Sequence, residues 1–161
     1  MEMLSAEFVE KTWMEAAGLT PQQAEKEMIR MGKRQPDLLA FLMSMSDSLS
    51  PDARELAIYI GFVVHKMFAD AKGTIPKISS EEIMDIYKEN LLLLEDLKGT
   101  RAKIIDEITK VESPDQPHVM KYVIEALTED TEGDDIKLTA KDTASLFVLL
   151  KTVIEVLDEK G

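Results

Sequence analysis

Two histidines, His65 and His118, have the broadest chemical reach of any residues in this chain. An imidazole titrates near neutrality, moves protons and ligates zinc. A structural zinc site takes four ligands, however, and a di-iron bundle takes Glu-x-x-His pairs on facing helices. Neither pattern occurs around His65 or His118. Asp70 lies five residues beyond His65, off its helical face, so His65 reads as a histidine at the edge of a core, bonded to a carbonyl. His118 follows Pro117 in a first helical turn, at the surface. The chain has no cysteine, which excludes thiolate ligands, a thiol nucleophile and disulfides.

The acidic residues give no better constellation. Glu81 and Asp85 pair at helical spacing with no histidine beside them. The stretch Asp130-Thr131-Glu132-Gly133-Asp134-Asp135 has the alternating acids that open an EF-hand loop. Position six is nevertheless Asp135, where glycine is needed, and position twelve is Lys141 instead of Glu. No Gly-x-Ser-x-Gly elbow, phosphate loop or dinucleotide turn is present. Hence no catalytic residue, metal site or cofactor is assigned. The candidate binding residues are the polar groups Tyr59, His65, Tyr87 and Tyr122, together with Met67. Met67 belongs to a methionine group in the first half that includes Met28, Met31, Met43 and Met45. Methionine is flexible and polarizable, so it fills irregular cores and also lines adaptable grooves.

Helices must position these residues, because helix signals recur along the chain and strand signals hardly appear. Ser5 caps a helix ending at Gly18, with Phe8, Val9, Trp13, Met14 and Ala17 as its apolar stripe. Thr20-Pro21-Gln22-Gln23 is a capping box with proline at the first helical position, opening a helix to Met31 that Gly32 stops. Pro36 opens a third helix, and Ser50-Pro51 a fourth that runs to about Lys72. The fourth carries the longest apolar run, Leu56 to Val64, and belongs at the centre of a bundle. Thr74 to Ile78, with Pro76, reads as a linker. Ser79 and Glu82 form a second capping box, for a helix continuing toward Gly99 that contains the run Leu91 to Leu94. Further helices follow at Thr100 to Val111, from Pro117 to about Thr128, and after Thr139, separated by Pro114 and by an acidic loop at residues 129–135. The prediction is an all-α chain of about eight helices.

Two stretches resemble each other. Gln35-Pro36 and Gln116-Pro117 lie 81 residues apart, with apolar pairs matching downstream and Phe41 aligned with Tyr122. In the next helix Asp52, Leu56, Val63 and Met67 match Asp142, Leu146, Val153 and Leu157 at an offset of 90. Each half then reads as the same four-helix order. This predicts a single compact helical domain with an internal duplication, its halves about 1–75 and 76–161, packed as a bundle or as a short solenoid.

Hydrophobic residues make up 45% of the 161, enough apolar surface to offset the entropy of ordering the chain. The net charge of −12 argues against nucleic acid and anionic membranes as partners, since both attract clustered Lys and Arg. That charge is uneven: residues 1–78 carry a net −2 and residues 79–161 a net −10. Such a charge serves to keep a protein soluble, and the acidic half could also attract a basic protein as partner. The chain opens without a basic segment leading into an apolar run, and its apolar runs are too short for a bilayer, so a cytoplasmic location is expected. The functional expectation is a non-enzymatic helical interaction or regulatory module, using a methionine-rich groove or its acidic second half. The alternative is a small-molecule or metal-dependent enzyme with its site at the seam between the halves. A homodimer joined through Leu91 to Leu94 is a third arrangement.

Overall fold

The computed structural model describes residues 2–129 and 138–161, and among these the chain is all-helical, without strands. Eight α-helices follow one another: α1 (Ala6–Ala17), α2 (Pro21–Arg34), α3 (Pro36–Met45), α4 (Pro51–Lys72), α5 (Ser80–Leu91), α6 (Arg101–Thr109), α7 (Pro117–Thr128) and α8 (Ala140–Lys160). A 3₁₀ turn, Leu92–Glu95, extends α5. None of these helices is long and apolar enough to cross a membrane. Most of the acidic loop, including the stretch with EF-hand-like spacing, lies outside the described residues.

The starts of the helices follow the capping chemistry closely. Ser5, Thr20, Ser50, Ser79, Thr100 and Thr139 each accept a hydrogen bond from a backbone N–H three residues on. Each such bond satisfies one donor that a helix start leaves free, worth about 1 kcal/mol. At Thr20, Ser79 and Thr139 the box is reciprocal, closed by Gln23, Glu82 and Asp142. Three expectations fail downstream of the caps. Helix α2 runs through Gly32 to Arg34. Gly32 lets α3 approach, since a Cβ there would lie 3.1 Å from Leu39 Cδ2. The run Leu91 to Leu94 tightens into the 3₁₀ turn and turns Leu92 outward, 68% exposed. On α1 the buried stripe is Val9, Thr12 and Ala16, while Trp13 and Met14 face outward. Thr12 can take a buried position because its hydroxyl donates to the Phe8 carbonyl.

Helices α4 and α8 form the centre. They pack on each other, and between them they touch every other α-helix. Helix α8 buries Leu146, Phe147, Leu149, Leu150, Val153 and Leu157. Helix α4 buries Ile60, Val63, Val64, Met67 and Phe68. Each such side chain contributes roughly 1.5–3 kcal/mol by leaving water. Gly61 allows a close crossing of α3 over α4, because a Cβ there would fall 2.5 Å from Leu42 Cδ1, and Leu42 is fully buried. A carboxylate joins the starts of the two central helices. Asp142 is buried, and it accepts from Thr139 N at the start of α8 and from Ser50 Oγ at 2.9 Å at the start of α4.

The outer helices cross between the first four and the last four. α1 packs on α7, and α3 on α5. Two buried glutamines make the same clamp at the two crossings. Gln35 donates to the Pro76 carbonyl and accepts from Ile78 N, both at 3.0 Å, just before α5. Gln116 donates to the Glu2 carbonyl and accepts from Leu4 N, both at 3.0 Å, just before α1. The two glutamines share nearly one backbone conformation, φ −133° and ψ 66° against φ −137° and ψ 64°. A ring pair accompanies each clamp: Phe41 with Tyr87 at 5.1 Å, and Trp13 with Tyr122 at 6.4 Å between centroids.

Candidate binding cleft

Trp13 reaches the surface because α1 turns Val9, Thr12 and Ala16 inward. Pro117 starts α7 with Val119, Met120 and Val123 facing the core, which leaves His118, Tyr122 and Glu125 toward α1. Between the two helices opens a cleft of about 470 Å³. Its floor is Val9, Tyr122 and the methyl of Ala126, and Trp13 forms one wall, nearly parallel to the Tyr122 ring at 22°. Glu10, Glu125 and Glu129 rim it, with Lys121 and His118 as the basic groups. Lys121 reaches Glu125 at 4.0 Å, an exposed pair that holds neither side chain firmly.

Burial pushes the Tyr122 phenol well above its ordinary pKa, and Tyr59 nearby adds to the rise; burial raises Tyr59 as well. Both remain neutral hydroxyls at neutral pH, able to donate and accept but not to act as bases. A second opening of about 610 Å³ lies on the other flank of α7. It is lined by Val111, Pro114, Pro117, Met120 and Ile124, and it shares Lys121 and Glu125 with the first.

The structure sorts the sequence candidates into separate places. Tyr122 stacks on Trp13 in the cleft, and Tyr59 lies within electrostatic reach of Tyr122 without lining the cleft. Tyr87 lies on the other crossing, with its ring edge-on to Phe41. Met67 is wholly buried in the centre of α4, so it packs the core and lines no surface. The rest of its group is divided: Met31 is buried, Met28 and Met45 pack against the core, and Met43 is 42% exposed. These five methionines therefore form no groove.

His65 sits under α2, 6% exposed, in a cleft of about 70 Å³ with Arg34, Lys66 and Asp70. The carbonyl bond expected for it is not among those formed by the described residues; charged groups face the ring instead. Burial, followed by the Arg34 charge, lowers its pKa to about 4 against a smaller opposing effect of Asp70. Asp70, placed off its face by sequence spacing, thus lies within electrostatic reach. No group of three or more His, Asp or Glu side chains able to hold a metal occurs among the described residues.

Sequence reasoning missed Trp13, Glu10, Glu125 and Glu129 as cleft residues. Spacing gave no signal for Trp13, because it lies four residues after Val9 and three before Ala16, on the helical face those buried residues share; its being the chain's one tryptophan was the available cue.

The fold and cleft define an all-α bundle with a charged-rimmed aromatic groove. No protein-family model, curated protein or solved structure matches this chain, so the groove has to be read from its own chemistry.

Proposed function

We propose that this chain is a non-enzymatic interaction module that docks a segment of a partner protein in the α1–α7 cleft. The observation that carries the reading is Trp13, 38% exposed over the opening beside Tyr122, with three carboxylates at the rim. Large aromatic rings at a surface dominate binding energies where a partner covers them. The rim and the net charge of −12 favour a basic partner and speed its encounter.

An internal duplication belongs to the same proposal, with halves about 1–75 and 76–161. The twin glutamine clamps, the matched ring pairs and the crossed packing of α1 on α7 and α3 on α5 support it. On this reading the two halves interlock, since helices of each half pack on helices of the other at α1–α7, α3–α5 and α4–α8.

The single tryptophan makes the docking test direct. Trp13 emission is followed while a tryptophan-free, 14-residue helical peptide is added, with Leu on one face and Lys on the other. A saturable blue shift is expected, and none with the same peptide carrying Glu for Lys. Silence toward both peptides removes the cleft as a docking site.

A further inference from the structure

We infer that the guest of this cleft is a basic segment anchored by one unbranched apolar side chain, and that each molecule takes one copy because the matching positions of the α3–α5 crossing carry methionines that pack against the core. This rests on the docking role proposed for the α1–α7 cleft.

The two crossings can be compared residue by residue. Ser5 and Ser79 both cap, Val9 and Ile83 are both buried, and Trp13 and Tyr87 each meet a ring across the crossing. On the partner helices Gln35 matches Gln116, and Leu38 and Val119 are both fully buried. In this matching Ala126 falls opposite Met45, and Glu10 opposite Met84. Both methionines pack against the core. Phe41 at this crossing is only 6% exposed, and its ring pair with Tyr87 is closer by more than 1 Å. At the far end Asp37 Oδ2 accepts from Ser80 N at 3.2 Å, whereas the matching α7 position holds His118.

So where one crossing holds two thioether side chains, the other holds a methyl and an exposed carboxylate, and there the cleft opens. The group that completes it has the chemistry of Met45: an unbranched apolar chain laid over Ala126, between Trp13 and α7. The flanks of the guest follow from charge. Glu10, Glu125 and Glu129 match Met84, Ser44 and Ser48, so the open crossing carries three carboxylates that the closed one lacks, opposed by Lys121. Lys or Arg beside the apolar anchor answers them, and Asp or Glu does not.

The test uses the full chain and a Lys-rich helical peptide carrying a single Met on its apolar face, with the same peptide carrying Ser for that Met (the Ser/Lys peptide) as control. Calorimetry on the natural chain is expected to give one site, with the Ser/Lys peptide at least tenfold weaker. A variant that copies the closed crossing, Glu10→Met with Ala126→Met, is expected to keep its helical circular dichroism and thermal transition and to bind at least tenfold more weakly. The reverse variant, Met84→Glu with Met45→Ala, is expected to raise the stoichiometry to two, provided its thermal transition is retained. Binding that survives Glu10→Met/Ala126→Met unchanged, or equal binding of the Ser/Lys peptide, overturns this inference and leaves the docking role standing. Failure of the natural chain to bind either peptide overturns the docking role itself. Concentration-dependent dimerisation that the Glu10→Met/Ala126→Met variant abolishes, without peptide binding, makes a second copy the guest and overturns the basic segment.

Discussion

His65 shows how a residue of wide chemical reach becomes a structural one. Its ring is nearly dry and faces the Arg34 guanidinium, so the neutral form is favoured and the pKa falls to about 4. An unfolded chain holds the same histidine near its ordinary value of about 6.5. Between those values the unfolded state binds the extra proton. The stability that His65 contributes is therefore complete above pH 6.5 and is lost as the pH falls toward 4. From pH 7 to 5 the loss is about 2 kcal/mol. Urea unfolding of the natural chain and of His65→Phe at both pH values should show that difference between them, and equal pH losses would exclude it. Asp142 acts in a lower range. Burial alone would raise its carboxyl pKa, but hydrogen bonds from Ser50 and Thr139 outweigh that and hold it below the ordinary value. Its contribution persists above the ordinary carboxylate range and disappears as the pH drops through the lowered value.

The glutamine clamps govern the packing of elements. Each side-chain amide satisfies a backbone donor and a backbone acceptor two residues apart, directly ahead of a helix cap. Removing it leaves those groups unpaired in a buried place, at about 2–3 kcal/mol. Gln35→Ala should release the Ile78 amide to hydrogen exchange while Leu4 stays protected, and Gln116→Ala should do the reverse. Simultaneous release of both amides by either variant would mean global loosening and no clamp. Both glutamines were visible as Gln-Pro pairs, because proline at the first helical position marks a helix start. Their crossed partners were not visible, because a hydrogen bond over 112 residues leaves no local pattern.

At the scale of the whole molecule the crossed packing has a mechanical consequence. α1 and α7, α3 and α5, and α4 and α8 hold each other from opposite sides of the linker at residues 74–78. A protease site placed after Gly73, where no atom approaches a would-be Cβ within 4 Å, should give two fragments that still elute together from a sizing column in native buffer. Fragments that separate at micromolar concentration would show that covalent continuity, and not interlocking, keeps the helices together.

What the sequence by itself determined is the set of helices and most of their starts. Caps, prolines and apolar spacing act within a few residues, so they can be read within a few residues. It also excluded thiol chemistry by composition. It misjudged the inward face of α1, because Trp13 and Met14 are as apolar as Val9, and burial of Thr12 depends on a hydroxyl bond that composition does not record. Only the tertiary structure decided which surfaces meet. It buried Met67 and His65 and separated Tyr87 from Tyr122. It also opened a cleft between α1 and α7 with Ala126 in its lining and Trp13 at its side. Those outcomes depend on side-chain volume at contacts between helices far apart in the chain, and a single helix carries no trace of the neighbour it will meet.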